Sequence, residues 1–229
     1  MKKVFLILIT LLLCKISNGQ DKPTKTGAWY MYFFKHQFKN SQLGIQGDIQ
    51  YRNWNLGGDL EQLLIRSGLT YKPKKANVLL TLGYGNITSG QFGDGNDTTY
   101  ESRIYQEALI PQKLGNRLYF THRFRYEQRF VENQDFRTRY RYNIFLNIPL
   151  NSSALATKTY YIALYNELFI NGQTNIGDDR EVELFDRNRT YLGLGYVLKP
   201  SMKIQLAWMN QKTVAIGKGQ LQLSFHHSF

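Results

Sequence analysis

An all-β fold, an antiparallel transmembrane β-barrel of about 10–12 strands, is what this sequence predicts, and three observations predict it. Apolar and charged residues alternate with a period of two over long stretches. The alternating stretches are longer than strands of water-soluble sheets usually are. The chain also opens on an export-like segment and closes on an amphipathic strand that ends in Phe229. One barrel domain, residues 20–229, would follow a cleaved leader, residues 1–19.

The alternation is clearest between Arg117 and Leu150. In the first arm, Leu118, Phe120, His122, Phe124, Tyr126, Gln128 and Phe130 interleave with Arg117, Tyr119, Thr121, Arg123, Arg125, Glu127 and Arg129. In the second, Phe136, Thr138, Tyr140, Tyr142, Ile144, Leu146 and Ile148 interleave with Arg137, Arg139, Arg141 and Asn143. Side chains two apart share a face only in a strand; a helix would mix arginine with phenylalanine on every side. Each arm runs about 14 residues, whereas about 9–11 tilted residues cross a bilayer. The aromatic set therefore faces lipid and the charged set faces a lumen.

From the beginning of the chain, two lysines precede an apolar run from Val4 to Cys14, with Ser17 and Gly19 as small residues before Gln20. This is a secretory leader, too short for an anchor. Cys14 is the only cysteine, so its removal leaves no disulfide or thiol chemistry; Leu13 is too bulky for lipoprotein processing at Cys14. Lys2, Lys3 and Lys15 are three of the 29 basic residues, which leaves 26 against 17 acidic ones, or +9. That charge suits an anionic surface or partner. Nucleic acid is disfavoured for an exported chain, although interleaved Arg and Tyr could stack bases.

Expected strands span 27–38, 42–54, 59–72, 77–88, 99–112, 117–131, 136–149, 158–171, 186–199, 201–213 and 219–229. No apolar run after Gln20 reaches the roughly 20 residues of a membrane helix. Tight turns fall at 73–77, 113–117 and 199–201, and longer polar connections at 89–98 and 171–185, as though short turns and long loops lay at opposite ends. The 150–158 connection is long for its side. These are 11 segments, while bacterial single-chain barrels close with an even number. The expectation is therefore ten or twelve, with segment 27–38, apolar on both faces, the doubtful wall strand. The last strand carries Leu221, Leu223, Phe225, His227 and Phe229 on one face, and Phe229 would be the signal read by barrel-assembly machinery.

The lumen would receive Arg52, Arg66, Arg103, Arg123, Arg125, Arg129, Arg137, Arg139, Arg141, Arg187 and Arg189, with Asp48, Glu101, Glu107, Glu127 and Glu167 as acidic partners. Charges at membrane depth must face water or one another. Guanidinium forks pair bidentately with carboxylates, so one expectation is a network that fills a narrow barrel. The excess of 11 arginines over five acids allows another: a narrow path for small anions or acidic sugars. A soluble secreted barrel that binds an acidic ligand is a third. Outer-membrane lipid and lipopolysaccharide would be the surrounding partners.

Catalysis is not expected. His226 and Ser228 have the His-x-Ser spacing of a lipid hydrolase, yet no orienting group accompanies them and they sit at the chain's end. No cofactor is implied. His36, His122, His226 and His227 lack metal-ligand spacing, and the loop acids Asp94, Asp97, Asp178, Asp179, Glu181 and Glu183 read as solvated as readily as Ca²⁺-binding. Gly83-x-Gly85 and Gly193-x-Gly195 are strand glycines that make room for bulky neighbours.

The stretches 27–33 (GAWYMYF), 49–69, 101–107, 121–130 (THRFRYEQRF), 137–151, 165–171 and 185–198 together resemble a family of uncharacterised outer-membrane-type barrels of Gram-negative bacteria, a domain of unknown function. The resemblance covers nearly the whole chain after the leader. It implies a barrel in the outer membrane and supplies no substrate, reaction or functional residue.

Overall fold

The alternating segments form eleven strands that close on themselves. The computed structural model describes residues 26–229 apart from 94 and 96, so the leader, Cys14 and Asp94 lie outside the described residues. The strands are β1 (Gly27–Gln37), β2 (Leu43–Asn53), β3 (Leu60–Tyr71), β4 (Leu79–Gly90), β5 (Thr98–Leu114), β6 (Leu118–Val131), β7 (Arg137–Pro149), β8 (Tyr160–Asn171), β9 (Phe185–Lys199), β10 (Met202–Lys212) and β11 (Gly217–Ser228). They run 11 to 17 residues. Each follows its expected segment closely, because periodicity marks extended chain directly.

Sequential neighbours pair antiparallel around the barrel, and β1 closes it by pairing parallel with β11, from Gly27 opposite Gln220 to Lys35 opposite Ser228. The expectation of ten or twelve strands is thus corrected: segment 27–37 is a full wall strand, paired with β2 on its other edge. An odd meander brings its first and last strands together pointing the same way. A parallel ladder is only slightly weaker per residue than an antiparallel one, so such a seam can form. No local pattern announces it, since the partner of β1 lies at the other end of the sequence.

The polarity of the wall is inverted relative to a water-soluble barrel. Outward-pointing Leu82, Leu192 and Leu206 are 59%, 60% and 55% exposed, while inward-pointing Arg66, Glu101 and Glu127 are 6%, 6% and 1% exposed. The outer face carries stacked or tilted ring pairs such as Phe130 with Phe136 and Tyr160 with Tyr196. β1 differs from the other strands in turning Trp29, Met31 and Phe33 inward, while Tyr30 and Tyr32 point outward.

Connections 38–42, 72–78, 115–117, 150–159 and 200–201 gather at the end that holds Phe229, called here the C-terminal end. Connections 54–59, 91–97, 132–136, 172–184 and 213–216 gather at the other, the loop end. The expected sides are right, but the contrast in length is weaker than expected. The ten-residue connection 150–159 explains part of that. Arg117 donates to the carbonyls of Leu150 and Ser152 at 3.2 and 3.0 Å, Tyr119 to that of Ser153, and Leu155 packs against the cluster around Trp29, Tyr161 and Tyr191. The segment is a strapped cover, not a slack turn.

Two register shifts matter for the interior. β3 slips against β2 between Arg52 and Asn53, and β9 against β8 between Phe169 and Ile170. A bulge inserts one residue and breaks the period of two locally. At Gly83 and Gly195 the rings of Tyr105 and Tyr161 lie where a Cβ would be, so these glycines let bulky inward neighbours lie flat on the wall.

Candidate functional site in the barrel lumen

Many inward positions are charged, and the register of adjacent strands decides which charges meet. Near the loop end, Glu101 receives two forks: Arg103 from its own strand at 2.6 and 2.7 Å, and Arg129 from β6 at 2.5 and 3.0 Å. Below it, Glu127 is held by Arg139 at 2.6 Å and by Arg141 at 2.6 Å. Glu167 accepts from Arg141 and Arg123, both at 2.5 Å, with Arg189 at 4.0 Å. Glu107 takes Arg125 at 2.5 Å and a 3.0 Å hydrogen bond from Gln46. Asp48 takes Arg66 at 2.9 Å. Each of these carboxylates except Asp48 serves more than one cation, which is how few acids hold many guanidiniums.

Two further carboxylates join the lumen that alternation places outside. Glu61 and Asp186 differ in parity from the inward residues Arg66 and Arg189, and each lies at one of the two bulges. Asp186 pairs with Arg139 at 2.7 Å and Arg187 at 2.9 Å. Glu61 accepts from Lys218 at 3.2 Å, and from Trp29 Nε1 and Gln220 Nε2 at 3.3 Å, so it ties β3 to both strands of the parallel seam. Lys218 was likewise not among the residues expected in the lumen. No side-chain pattern marks a bulge, so nothing in the sequence points to the two carboxylates, whereas Lys218 keeps the alternation of Gln220 and Gln222 and lies just before the expected start of the last strand.

Nine of the eleven expected lumen arginines thus have a carboxylate within 4.0 Å; Arg52 and Arg137 do not. Arg52 bonds instead to Gln50 at 2.6 and 3.1 Å and to Gln62 at 2.8 Å, and lies 3.7 Å over the Trp29 ring. Arg189 approaches Trp29 at 4.9 Å, which leaves the indole between two cations. Arg137 is 8% exposed and its Nε finds no acceptor. Buried ion pairs offset their desolvation only when geometry is good and remaining donors are satisfied, and the forks on Glu101, Glu127 and Glu167 meet that condition.

Toward the C-terminal end the packing opens. A cavity of about 460 Å³ runs from Arg52, Arg66 and Arg141 to the rim at Pro200, Ser201 and Ser228. Its lining stops short of the groups around Glu101, Glu127 and Asp186. Aromatic side chains form much of its wall, with Tyr165 stacked on Tyr191 at 4.4 Å and Tyr161 and Tyr191 bridged by Gln205.

His226 and Ser228, which share the His-x-Ser spacing, do not pair. His226 Nε2 meets Ser224 Oγ at 3.2 Å instead, its ring stacks on Phe33 at 4.7 Å, and Ser228 is exposed. Among the described residues no carboxylate hydrogen-bonds His226. His122 points outward, bonded to Tyr142 at 2.8 Å. His227 meets Tyr32 at 3.1 Å, and His36 caps the terminal carbonyl of Phe229. Phe229 itself is 57% exposed and stacks on His36 at 5.2 Å. In loop 172–184, Asp178 pairs with Arg180 at 3.1 Å. Among the described residues no three His, Cys, Asp or Glu groups cluster as metal ligands do.

A family model described as a protein of unknown function, DUF2490, covers residues 26–222. No curated protein matches the chain.

Proposed function

The chain belongs to this family of unknown function, and we propose that it is an integral outer-membrane β-barrel, non-enzymatic, whose lumen is packed by an Arg/Glu network in its loop-end half. The inverted wall carries this reading: leucines and rings are presented outward on every side while carboxylates and guanidiniums are buried within. Soluble monomers rarely expose apolar patches beyond a few hundred Å². Strands of 11 residues or more are long enough to cross. Tyr100, Phe130 and Phe136 sit outward near the loop end and Tyr71, Tyr160 and Tyr196 near the other, as interfacial rings do. On this reading residues 1–19 direct export, Phe229 is read by the assembly machinery, and bilayer lipid and lipopolysaccharide surround the wall.

Cell fractionation with gel mobility before and after boiling tests the proposal. The chain is expected in the outer membrane, with a mobility shift on boiling. Recovery in the soluble periplasm with unchanged mobility would overturn it. Leu206→Arg, on the outer wall, is expected to lower stability in lipid by about 2–4 kcal/mol if the position lies near mid-bilayer.

A narrow anion path is the second reading, favoured by the arginine excess of the lumen. The ion-paired groups around Glu101 and Glu127 stand across that path, so wild-type protein in planar bilayers is expected to show no steady conductance. A steady anion-selective conductance would put the channel first.

A further inference from the structure

The C-terminal half of the lumen differs from a merely unfilled space in its charge. Eight cationic side chains line the cavity against the three carboxylates of Asp48, Glu107 and Glu167, and those three are already engaged by guanidiniums at 2.5–2.9 Å. At the mouth, Lys35 and Lys203 stand with no carboxylate within 4.0 Å among the described residues. Deeper in, Arg123 Nε and Arg125 NH1 are buried donors without a hydrogen-bonded acceptor, each 3.8 Å from a carboxylate oxygen that another guanidinium already holds. A buried donor left unmade costs on the order of 1–3 kcal/mol, so such a set calls for acceptors from elsewhere. The adjoining wall of β7, β8 and β9 offers flat apolar surface from Phe145, Tyr161, Tyr165 and Tyr191. The volume, about 460 Å³, lies within the range of small-molecule sites.

We propose that this half-lumen is a binding site for a small organic anion with at least two negative charges on a ring-sized body, entered from the C-terminal end. The charges lie against the Arg123–Arg125 side and the lysines at the mouth, and the ring lies along the tyrosines. A carboxylated and a phosphorylated sugar share this chemistry. A polymer threading through the barrel does not fit, because the cavity ends below the Glu101 and Glu127 groups. The site depends on the barrel's interior and not on the compartment that holds it, so it stands or falls separately from the outer-membrane assignment.

The test is calorimetry at 0.15 M salt on the full chain after its leader, folded and shown by circular dichroism to be rich in strand. The probes are glucose 6-phosphate, glucuronate as a singly charged ring, citrate, and glucose as the neutral control. Glucose 6-phosphate is expected to bind at one per chain, tighter than glucuronate and citrate, with no binding of glucose. Lys35→Glu combined with Lys203→Glu, both at the mouth and unpaired, is expected to weaken it at least tenfold. Arg137→Gln, in the other half, is expected to leave it unchanged. No binding of glucose 6-phosphate at millimolar concentration overturns the proposal, as does unaltered affinity in the lysine double variant or equal binding of glucose. Citrate binding more tightly than glucose 6-phosphate would refute the ring-shaped occupant.

Discussion

The two halves of the lumen are built on the same eleven strands, yet one is filled and the other is hollow. In the loop-end half Arg103, Arg129, Arg139, Arg187 and Lys218 meet the carboxylates of Glu61, Glu101, Glu127 and Asp186. In the C-terminal half eight cations share three carboxylates, and tyrosines replace acids on the β8 and β9 walls. Carboxylates, more than side-chain volume, decide the difference. A guanidinium with a carboxylate to fork onto can cross the axis and pack, whereas like-charged neighbours hold apart and leave space. β1 sharpens the boundary, for Trp29 sits between Arg52 and Arg189 where the packed half gives way to the open one.

If that account is right, the largest effect should come from the packed half. Glu127→Gln removes the charge shared by Arg139 and Arg141, which keep only Asp186 and Glu167, and leaves the buried cations of the packed half undercompensated. A loss of about 3–5 kcal/mol is expected, read as a lower urea midpoint for the unfolding of the detergent-folded barrel. In the open half the sensitive feature is shape. Gly195→Ala sets a methyl group against the Tyr161 ring and is expected to cost about 1–3 kcal/mol in the same measurement. Arg117→Ala releases the 150–159 cover from its anchors; a loss of about 1 kcal/mol is expected, with faster proteolysis in that connection as the readout. The smallest effect belongs to Arg137→Gln. It has no carboxylate within reach to lose, so its unfolding free energy from the same urea titration should stay within about 0.5 kcal/mol of wild type. A large loss there would show that the loop-end half is tied together by more than its forks.

Much of the architecture was legible because a period of two needs no knowledge of partners. The alternation over 117–150 placed β6 and β7, told which residues turn inward, and set the arginines against the rings. What alternation cannot carry is anything that depends on pairing. Glu61 and Asp186 escape the alternation because a bulge is a property of two strands, visible only once register is known. The parallel seam escaped for the same reason, and so did the sharing of Glu167 among Arg123, Arg141 and Arg189, which come from three different strands. His226 shows the limit at the scale of one side chain. Ser224 and Ser228 stand at equal spacing from it, and only the packing of the chain's end selects Ser224.

The parallel pairing of β1 with β11 has a consequence for topology. Gly27 opens its strand at the loop end and Ser228 finishes its own at the opposite end. Set in a bilayer, such a barrel would present its two chain termini to different compartments, whereas an even meander returns both to one side. An epitope placed before Gly27 and another after Phe229 would then be reached by antibody from opposite faces of the same intact cell envelope. Accessibility of the two tags would read out the parity of the wall without any structure determination.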